Sequence, residues 1–199
     1  MNRRTFLNSL GGSVAIVTAG ALIDQILRGL PATETTAPLA ATLVKVRIIG
    51  PDGKLTAPME MPKVVKTEAE WRKQLTAEQY SITRDKDTEP AFCGVFYDNH
   101  KEGIYHCVCC NLPLFASDAK FDSGTGWPSF FQPVAAENVA TQSDNSLGME
   151  RTEVHCARCD SHLGHVFDDG PPPTNQRYCM NSAAMIFVLK GKEVPEKRA

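Results

Sequence analysis

The cysteines constrain the fold of this chain more than any other feature. All seven lie within residues 93–179 of the 199-residue chain. Four of them form two Cys-x-x-Cys pairs, Cys107 with Cys110 and Cys156 with Cys159. Each pair can direct two thiolates at one ion, so two pairs complete a closed tetrahedral Cys₄ site. We therefore expect one structural Zn²⁺ that joins two distant segments of the chain.

The alternative is that these four cysteines form disulfides, as they could in an oxidising compartment. One Cys-x-x-Cys pair would be weak evidence for a metal. Two pairs, each beside apolar residues typical of strands, fit the spacing of zinc ligands better than a disulfide framework. A site with four protein ligands has no open position for a reacting water, so we expect the ion to stabilise the fold rather than to catalyse.

The first thirty residues resemble a twin-arginine (Tat) export signal. Arg3 and Arg4 precede Phe6 and Leu7, and an uncharged apolar stretch covers residues 10–23. That stretch is shorter than the ~20 apolar residues of a membrane span and has the length of a signal-peptide core. We expect export to the periplasm in the folded state, with the metal already bound. A cytosolic protein with a fortuitous Arg-Arg start is the alternative, and an uncleaved leader would leave the protein anchored to the membrane.

Composition and patterning divide the chain into four parts. We expect a signal segment over residues 1–30, a linker with an N-terminal strand over residues 31–62, the main domain over residues 63–190 and a tail over residues 191–199. The balance of 21 Lys and Arg against 23 Asp and Glu excludes the broad cationic surface of a dedicated nucleic-acid-binding protein.

The residue patterns predict a mainly β fold with short helices at its N-terminal edge. Thr-x-x-Glu at Thr67 and Thr-x-x-Gln at Thr76 are capping boxes, which predict two short helices. Apolar and polar residues alternate over residues 42–49, which predicts a half-buried strand before a turn at residues 51–53. Further strands are predicted over residues 94–97, 104–107, 152–156, 165–167 and 184–189, the first two flanking a hairpin loop.

Among the remaining cysteines, Cys179 has the most informative neighbours. Arg177 lies two residues earlier and shares a face with it in an extended strand, where a guanidinium favours the nucleophilic thiolate. Asn181 continues that face and could orient a bound group. His162 and His165 supply candidate proton donors within one short loop. A small buried thiol without a chemical role is the alternative for Cys179.

Three segments of the chain resemble the B-type methionine sulfoxide reductases. They are residues 124–130 (GTGWPSF), residues 156–171 (CARCDSHLGHVFDDGP) and residues 177–182 (RYCMNS), and the similarity extends over residues 63–189. The resemblance implies two antiparallel sheets with peripheral helices and a Cys₄ zinc site away from the catalytic pocket. It also implies reduction of methionine-R-sulfoxide in oxidised proteins to methionine, with a thioredoxin-like protein as the electron donor.

The resemblance assigns roles by motif position. It implies that Cys179 attacks the sulfoxide sulfur. His165, together with His162 and Asp169, would position or deliver the proton that the sulfoxide oxygen needs. A thiolate for the sulfur, an acid for the oxygen and an aromatic wall for the S-methyl group are also what sulfoxide chemistry requires.

The same resemblance implies roles for four more side chains. Arg177 would stabilise the thiolate and Asn181 would help to orient the substrate. Trp127 and Phe167 would form the wall against the methyl group. Taken alone, Trp127 would more often be a core residue, because an indole buries a large area.

One departure from the family pattern concerns the second redox cysteine. Attack leaves Cys179 as a sulfenic acid, which a second thiol condenses into a disulfide. In many relatives that resolving cysteine stands where this chain has Thr125. We expect Cys93 to take its place after a loop shift, because a disulfide needs Cα atoms within ~7 Å. Cys109 lies between zinc ligands and is expected to be a free thiol outside the redox pair.

Two other classes of function compete with the reductase. A non-catalytic zinc-ribbon binding module would need the four paired cysteines, but it gives no reason for the Arg177–Cys179 segment or for the two histidines. A thiol-disulfide oxidoreductase would place Cys-x-x-Cys at a strand-to-helix junction in a βαβ unit, and neither pair lies in such a pattern.

Overall fold

The computed structural model describes residues 42–50 and 52–195. The predicted signal segment, residues 31–41 and 51 of the predicted linker and strand, and residues 196–199 of the tail lie outside these residues. Within them the chain forms two α-helices and eleven strands, and every strand pair is antiparallel. The mainly β fold class is therefore confirmed. In the same part of the chain, no helix is long and apolar enough to cross a membrane.

The elements follow one another from the N-terminal strands through the helices to the β domain. The first four are β1 (Leu43–Val46), β2 (Met59–Pro62), α1 (Glu68–Gln74) and α2 (Ala77–Arg84). The next five are β3 (Gly103–Cys107), β4 (Pro113–Ala116), β5 (Lys120–Phe121), β6 (Ser129–Phe130) and β7 (Val139–Asp144). The last four are β8 (Arg151–Cys156), β9 (His162–Phe167), β10 (Arg177–Met180) and β11 (Met185–Leu189).

These strands form three sheets. The largest has six strands in the order β5-β6-β10-β9-β8-β7, the second has the order β11-β3-β4, and β1 pairs with β2 in a separate ribbon. The first two correspond to the two sheets that the family resemblance implies. The N-terminal ribbon is an addition to them.

Aromatic side chains hold the two larger sheets together. Phe115 of β4 stacks on Phe130 of β6 with ring centroids 4.5 Å apart, and Tyr105 of β3 meets Phe130 edge-on at 5.0 Å. All three residues have no exposed surface. Because β3 and β4 belong to one sheet and β6 to the other, these contacts pack the sheets face to face. Each such aromatic pair adds about 0.5–1.5 kcal/mol to the stabilisation from burial alone.

Both predicted helices are present and both begin at the predicted capping boxes. Thr67 accepts a hydrogen bond from the Glu70 N–H, while the Glu70 carboxylate accepts from the Thr67 N–H. Thr76 and Gln79 form the same reciprocal pair at the start of α2. Each box satisfies backbone donors that a helix N-terminus would otherwise leave unpaired.

The predicted strand over residues 94–97 is wrong, and with it the predicted hairpin loop. Residues 91–98 form consecutive turns instead. Phe92 has a φ of 64°, and Val95 is 79% exposed, so this segment lacks the extended backbone and the buried face of a strand. The segment packs closely against Glu89, because a Cβ atom at Gly94 would overlap the Glu89 carboxylate.

The structure corrects the position of His162. It lies within β9 rather than in a short loop, whereas His165 lies in the strand predicted over residues 165–167, which the structure extends back to His162. A bulge near Gly164, where the pairing register with β8 shifts, turns His162 to the same side as His165. The sequence pattern also misses β2, β4, β5, β6 and β7, which are short or lie at a sheet edge and therefore carry little periodic signal.

Candidate active site and metal centre

Each Cys-x-x-Cys pair forms the turn of a β-hairpin. The first turn, residues 107–110, follows β3, and the second turn, residues 156–159, follows β8. In both turns the N–H of the first cysteine donates to the carbonyl five residues later, and the residue after the second cysteine donates back to the first cysteine's carbonyl, at 2.8–3.0 Å. The donating residues Asn111 and Asp160 have φ values of 61° and 54°. Asn and Asp adopt this left-handed conformation more readily than most residues.

The four sulfur atoms of these turns form one cluster that fits a zinc ion. All lie within 4.8 Å of one another, with Cys107 3.6 Å from Cys159 and Cys110 3.5 Å from Cys156. A tetrahedral ion with Zn–S bonds of about 2.3 Å needs sulfurs about 3.8 Å apart, whereas a disulfide needs about 2.05 Å. Hydrogen bonding among the four cysteines lowers the pKa of Cys107 and Cys110 and raises the pKa of Cys156 and Cys159, because the close sulfurs share their protons. These residues form a zinc site rather than two disulfides.

The segment that carries the two helices covers both turns. The Gln74 side chain donates to the Cys109 carbonyl at 2.9 Å, and the Arg84 guanidinium donates to the Cys159 carbonyl at 2.9 Å. The Val64 N–H donates to a carbonyl of the second turn at 2.8 Å. Cys109 itself is 1% exposed and is a free thiol.

Cys179 lies in β10, between β6 and β9. Its register partners are Ser129 on one side and His165 on the other. Directly opposed residues of antiparallel strands project from the same face, so all three side chains line one face of the sheet. Arg177 lies two residues before Cys179 and opposite Phe167, which adds these two side chains to that face.

The surroundings of Cys179 shift the pKa of its thiol in opposite directions. Burial raises the pKa of Cys179, and this effect outweighs the hydrogen bond from Thr125 and the charge of Arg177, which lower it. Thr125 Oγ1 lies 3.9 Å from the Cys179 sulfur. Arg177 thus acts in the expected direction, but it does not overcome burial. The net effect favours the thiol over the thiolate.

Arg177 is itself held in a fixed position. Its Nε and Nη2 atoms donate to the two carboxylate oxygens of Asp169 at 2.7 and 2.9 Å, and its guanidinium lies 4.3 Å from the Phe167 ring centroid. Asp169 is expected to assist proton transfer together with His165. The structure instead places its carboxylate on the guanidinium, with 62% of the side chain exposed.

His162 is part of a buried polar network. Its Nδ1 lies 2.7 Å from Glu153 Oε1, while Lys86 and Gln142 donate to Oε2 at 2.8 and 2.6 Å. Burial opposes the charge on Glu153, but these hydrogen bonds lower the pKa of Glu153 to about 2. Burial also lowers the pKa of His162. Burial thus favours the neutral imidazole of His162, whose Nδ1 faces the Glu153 carboxylate, and its buried Nε2 has no partner among the described residues.

His165 is better placed than His162 for proton transfer, because it lies directly opposite Cys179. Its Nε2 lies 2.7 Å from Asp144 Oδ2, and Arg151 donates to the same oxygen at 2.7 Å. Hydrogen bonds from Ser146 and His165 hold the pKa of Asp144 well below its usual range, so this carboxylate stays charged beside the imidazole. The sequence pattern does not single out Asp144 or Glu153. The pairing of β7 with β8 would have located both.

Asn181 and Trp127 are linked through one backbone segment. Asn181 is 2% exposed; its amide accepts from the Glu89 N–H at 3.0 Å and donates to the Leu163 carbonyl at 3.2 Å. The structure therefore gives Asn181 bonds to backbone atoms in place of the expected contact with substrate. Trp127 donates through Nε1 to the Glu89 carbonyl at 2.9 Å and is only half-buried, so its ring can still contact a ligand.

Cys93 lies in an exposed turn near this site. It and Cys179 are both free thiols, with no bond between them. The preceding residue, Phe92, donates its N–H to the Gly126 carbonyl at 2.8 Å. That contact ties the Cys93 turn to the loop that carries Thr125, so a shift of the two segments together would move Cys93 relative to Cys179.

The cluster geometry predicts one zinc ion per chain that stabilises the fold. Cys110→Ala should lose the ion and lower the free energy of unfolding by more than about 4 kcal/mol, because removal of a structural metal is among the most destabilising changes. Metal analysis and chemical denaturation measure both quantities. Cys109→Ala is the matched control and should retain the ion; equal zinc content in the two variants would contradict the assigned ligands.

The environment of Cys179 predicts how the reactivity of its thiol depends on pH. Its alkylation rate by iodoacetamide should rise with pH to a midpoint above that of an ordinary cysteine, and Arg177→Gln should raise the midpoint further by removing a favourable charge. Mass spectrometry of the Cys179 peptide at a series of pH values measures this rate. Arg72→Gln, on the exposed face of α1, should leave the midpoint unchanged. A midpoint below the ordinary value would contradict burial as the dominant effect.

Comparison with known proteins places this site in a family. The SelR domain family matches residues 75–189, more than half of the chain. The peptide methionine sulfoxide reductase MsrB of Herminiimonas arsenicoxydans is 60% identical over 125 residues, which cover 63% of this chain and 91% of that protein. The MsrB protein of Hahella chejuensis is 57% identical over 127 residues, covering 64% and 91%. The chain therefore belongs to the SelR domain family, the B-type methionine sulfoxide reductases that its motifs resemble.

Proposed function

We propose that this chain reduces methionine-R-sulfoxide in oxidised proteins to methionine, with Cys179 as the nucleophile. The observation that carries the proposal is the position of Cys179 on β10, directly opposite His165 and on the same face as Arg177 and Phe167. The relatives with 57–60% identity are named peptide methionine sulfoxide reductases, and this chain covers 91% of each.

In the first step the Cys179 sulfur attacks the sulfoxide sulfur, and the sulfur–oxygen bond of the substrate breaks. Methionine leaves as the thioether, reduced by two electrons, and Cys179 becomes a sulfenic acid, oxidised by two. The proton balance is closed, because the thiol proton of Cys179 ends on the transferred oxygen. His165, opposite Cys179 and hydrogen-bonded to Asp144, is the group that we assign to this proton transfer.

Trp127 and Phe167 would contact the apolar S-methyl group, and their exposure supports that role. Both are half-buried and both are fixed on one side, Trp127 by its bond to the Glu89 carbonyl and Phe167 by the Arg177 guanidinium. Fixed aromatic surfaces with an accessible face suit a small apolar group.

In the second step Cys93 attacks the sulfenic acid of Cys179, a disulfide forms and water leaves. Its support is that Cys93 is exposed and that Phe92 is bonded to the loop beside Thr125. A thioredoxin-like dithiol then reduces the disulfide by thiol-disulfide exchange. The zinc thiolates take no part, because all four would be coordinated in a closed site.

Localisation and domain boundaries belong to the same proposal. The residue pattern of the first thirty residues supports export by the twin-arginine machinery to the periplasm, with residues 31–62 as linker and N-terminal strand, residues 63–190 as the catalytic domain and residues 191–199 as a tail. In that compartment the reductant would be a periplasmic thioredoxin-like protein. Folding before export would protect the zinc thiolates from oxidation.

An epimer-resolved assay tests the activity. The purified chain with dithiothreitol should convert the R epimer of a methionine sulfoxide peptide at least about 100-fold faster than the S epimer, because a pocket that fixes the methyl and oxygen positions admits one configuration. Chromatography of the products measures both rates. Cys179→Ser should abolish turnover, whereas Cys109→Ser should retain it. Zinc retention without turnover in the wild type would instead support the zinc-ribbon binding module.

A disulfide map tests the role of Cys93. After one turnover without reductant, peptide mapping should find Cys93 bonded to Cys179. Cys93→Ser should accumulate the Cys179 sulfenic acid, which dimedone traps, while Cys109→Ser should still form the disulfide. A Cys109–Cys179 bond, or a lasting sulfenic acid in the wild type, would rule out Cys93 as the resolving residue.

A further inference from the structure

Glu89 is a buried carboxylate that the proposed chemistry does not use. It is 4% exposed and lies between α2 and the turns of residues 91–98. Its two carboxylate oxygens accept hydrogen bonds from the N–H groups of Ser182 at 2.6 Å and Ala183 at 3.0 Å. These two residues follow Cys179 closely in the chain, so the carboxylate fixes the backbone directly after the nucleophile strand.

The backbone of Glu89 contacts two further residues of the site. Its N–H donates to the Asn181 side chain at 3.0 Å, and its carbonyl accepts from the Trp127 indole at 2.9 Å. Asn181 in turn donates through its own N–H and its amide to the Leu163 carbonyl, between His162 and Gly164 of β9. One residue thus joins the aromatic wall, the end of the nucleophile strand and the histidine strand.

The packing around Glu89 leaves its side chain little freedom. A Cβ atom at Gly94 would overlap both the Glu89 carboxylate and the Ser182 hydroxyl. That hydroxyl also accepts the Phe96 N–H at 3.2 Å. Loss of the carboxylate would leave two backbone N–H groups without acceptors in a tightly packed region, and the segment would have to move to find others.

We propose that Glu89 is a positioning residue: it sets the placement of Trp127 and of the Asn181–Ala183 segment relative to Cys179, and through them the orientation of the substrate. It does so without touching the substrate or the reacting atoms. This inference rests on the proposed reduction of methionine sulfoxide. Displacements of about 1 Å in such supports cost up to about 100-fold in rate, so the effect should appear in the chemistry as well as in stability.

First-turnover kinetics separate positioning from folding. Without reductant, the amplitude of methionine formation counts the correctly folded sites. The rate constant and the half-saturating substrate concentration report how well those sites align and bind the substrate. Glu89→Ala should lower the rate constant and raise the half-saturating concentration, so that the ratio of the two falls by about 10- to 100-fold. Glu89→Gln keeps one acceptor oxygen, so this ratio should fall less than in Glu89→Ala. Glu78→Gln is the matched control, because Glu78 is an exposed carboxylate of α2 that lines the same surface cleft as Glu89. Its rate constant and half-saturating concentration should equal those of the wild type.

A double-mutant cycle tests whether Glu89 acts through Trp127. Glu89→Ala keeps the backbone carbonyl that the indole contacts, so coupling arises only if loss of the carboxylate displaces that carbonyl. Trp127→Phe removes the indole donor, and Glu89→Ala should therefore cost less activity in that background than in the wild type. Independent effects would overturn the coupling. A reduced amplitude with unchanged rate constant and half-saturation in both Glu89 variants would show a purely structural role and overturn the inference. An inactive wild type would overturn the proposed function itself, whereas an active wild type with unaffected Glu89 variants would overturn this inference alone.

Discussion

The four cysteine sulfurs are the interaction on which the arrangement of this protein depends, because they join its two larger sheets. The first turn closes the β3–β4 hairpin of the three-stranded sheet, and the second closes the β8–β9 hairpin of the six-stranded sheet. One tetrahedral ion therefore fixes the distance between the two hairpin ends, while the Phe115–Phe130 stack holds the sheets further along. Since β9 begins directly after the second turn, the ion also anchors the strand that carries both histidines.

Two classes of cysteine thus have separate environments in one small domain. The four ligands form one cluster of sulfur atoms. Cys179 lies in β10, on the face of the sheet that also carries Arg177 and His165, with Thr125 close to its sulfur. Burial raises the pKa of Cys179 and so favours the protonated thiol, which suits the proposed reaction because its product oxygen must receive a proton. The carboxylates of Asp144 and Glu153 each orient one histidine, and Glu89 ties Trp127 to the segment after Cys179.

Local patterns predicted the parts of this fold that depend on short-range chemistry. The zinc ligands follow from Cys-x-x-Cys spacing, and both helices begin where their capping boxes predict. The failures concern long-range contacts. Nothing local to residues 94–97 shows that Gly94 packs closely against Glu89, and nothing local to Asn181 shows that backbone atoms of Glu89 and Leu163 occupy its amide. Asp144 was missed for the same reason, since its importance comes from the pairing of β7, β8 and β9. Sequence spacing predicts the reacting groups, and only tertiary contacts show which side chains orient them.

The central claim is that the metal holds the fold while Cys179 and Cys93 carry the redox chemistry. X-ray absorption spectroscopy of the zinc-loaded protein, before and after one turnover with methionine-R-sulfoxide, measures the ion's ligands directly. The account predicts four sulfur ligands at about 2.3 Å in both states. Loss of a sulfur ligand, or its replacement by nitrogen or oxygen after turnover, would contradict it, because the zinc thiolates would then be taking part in the reaction.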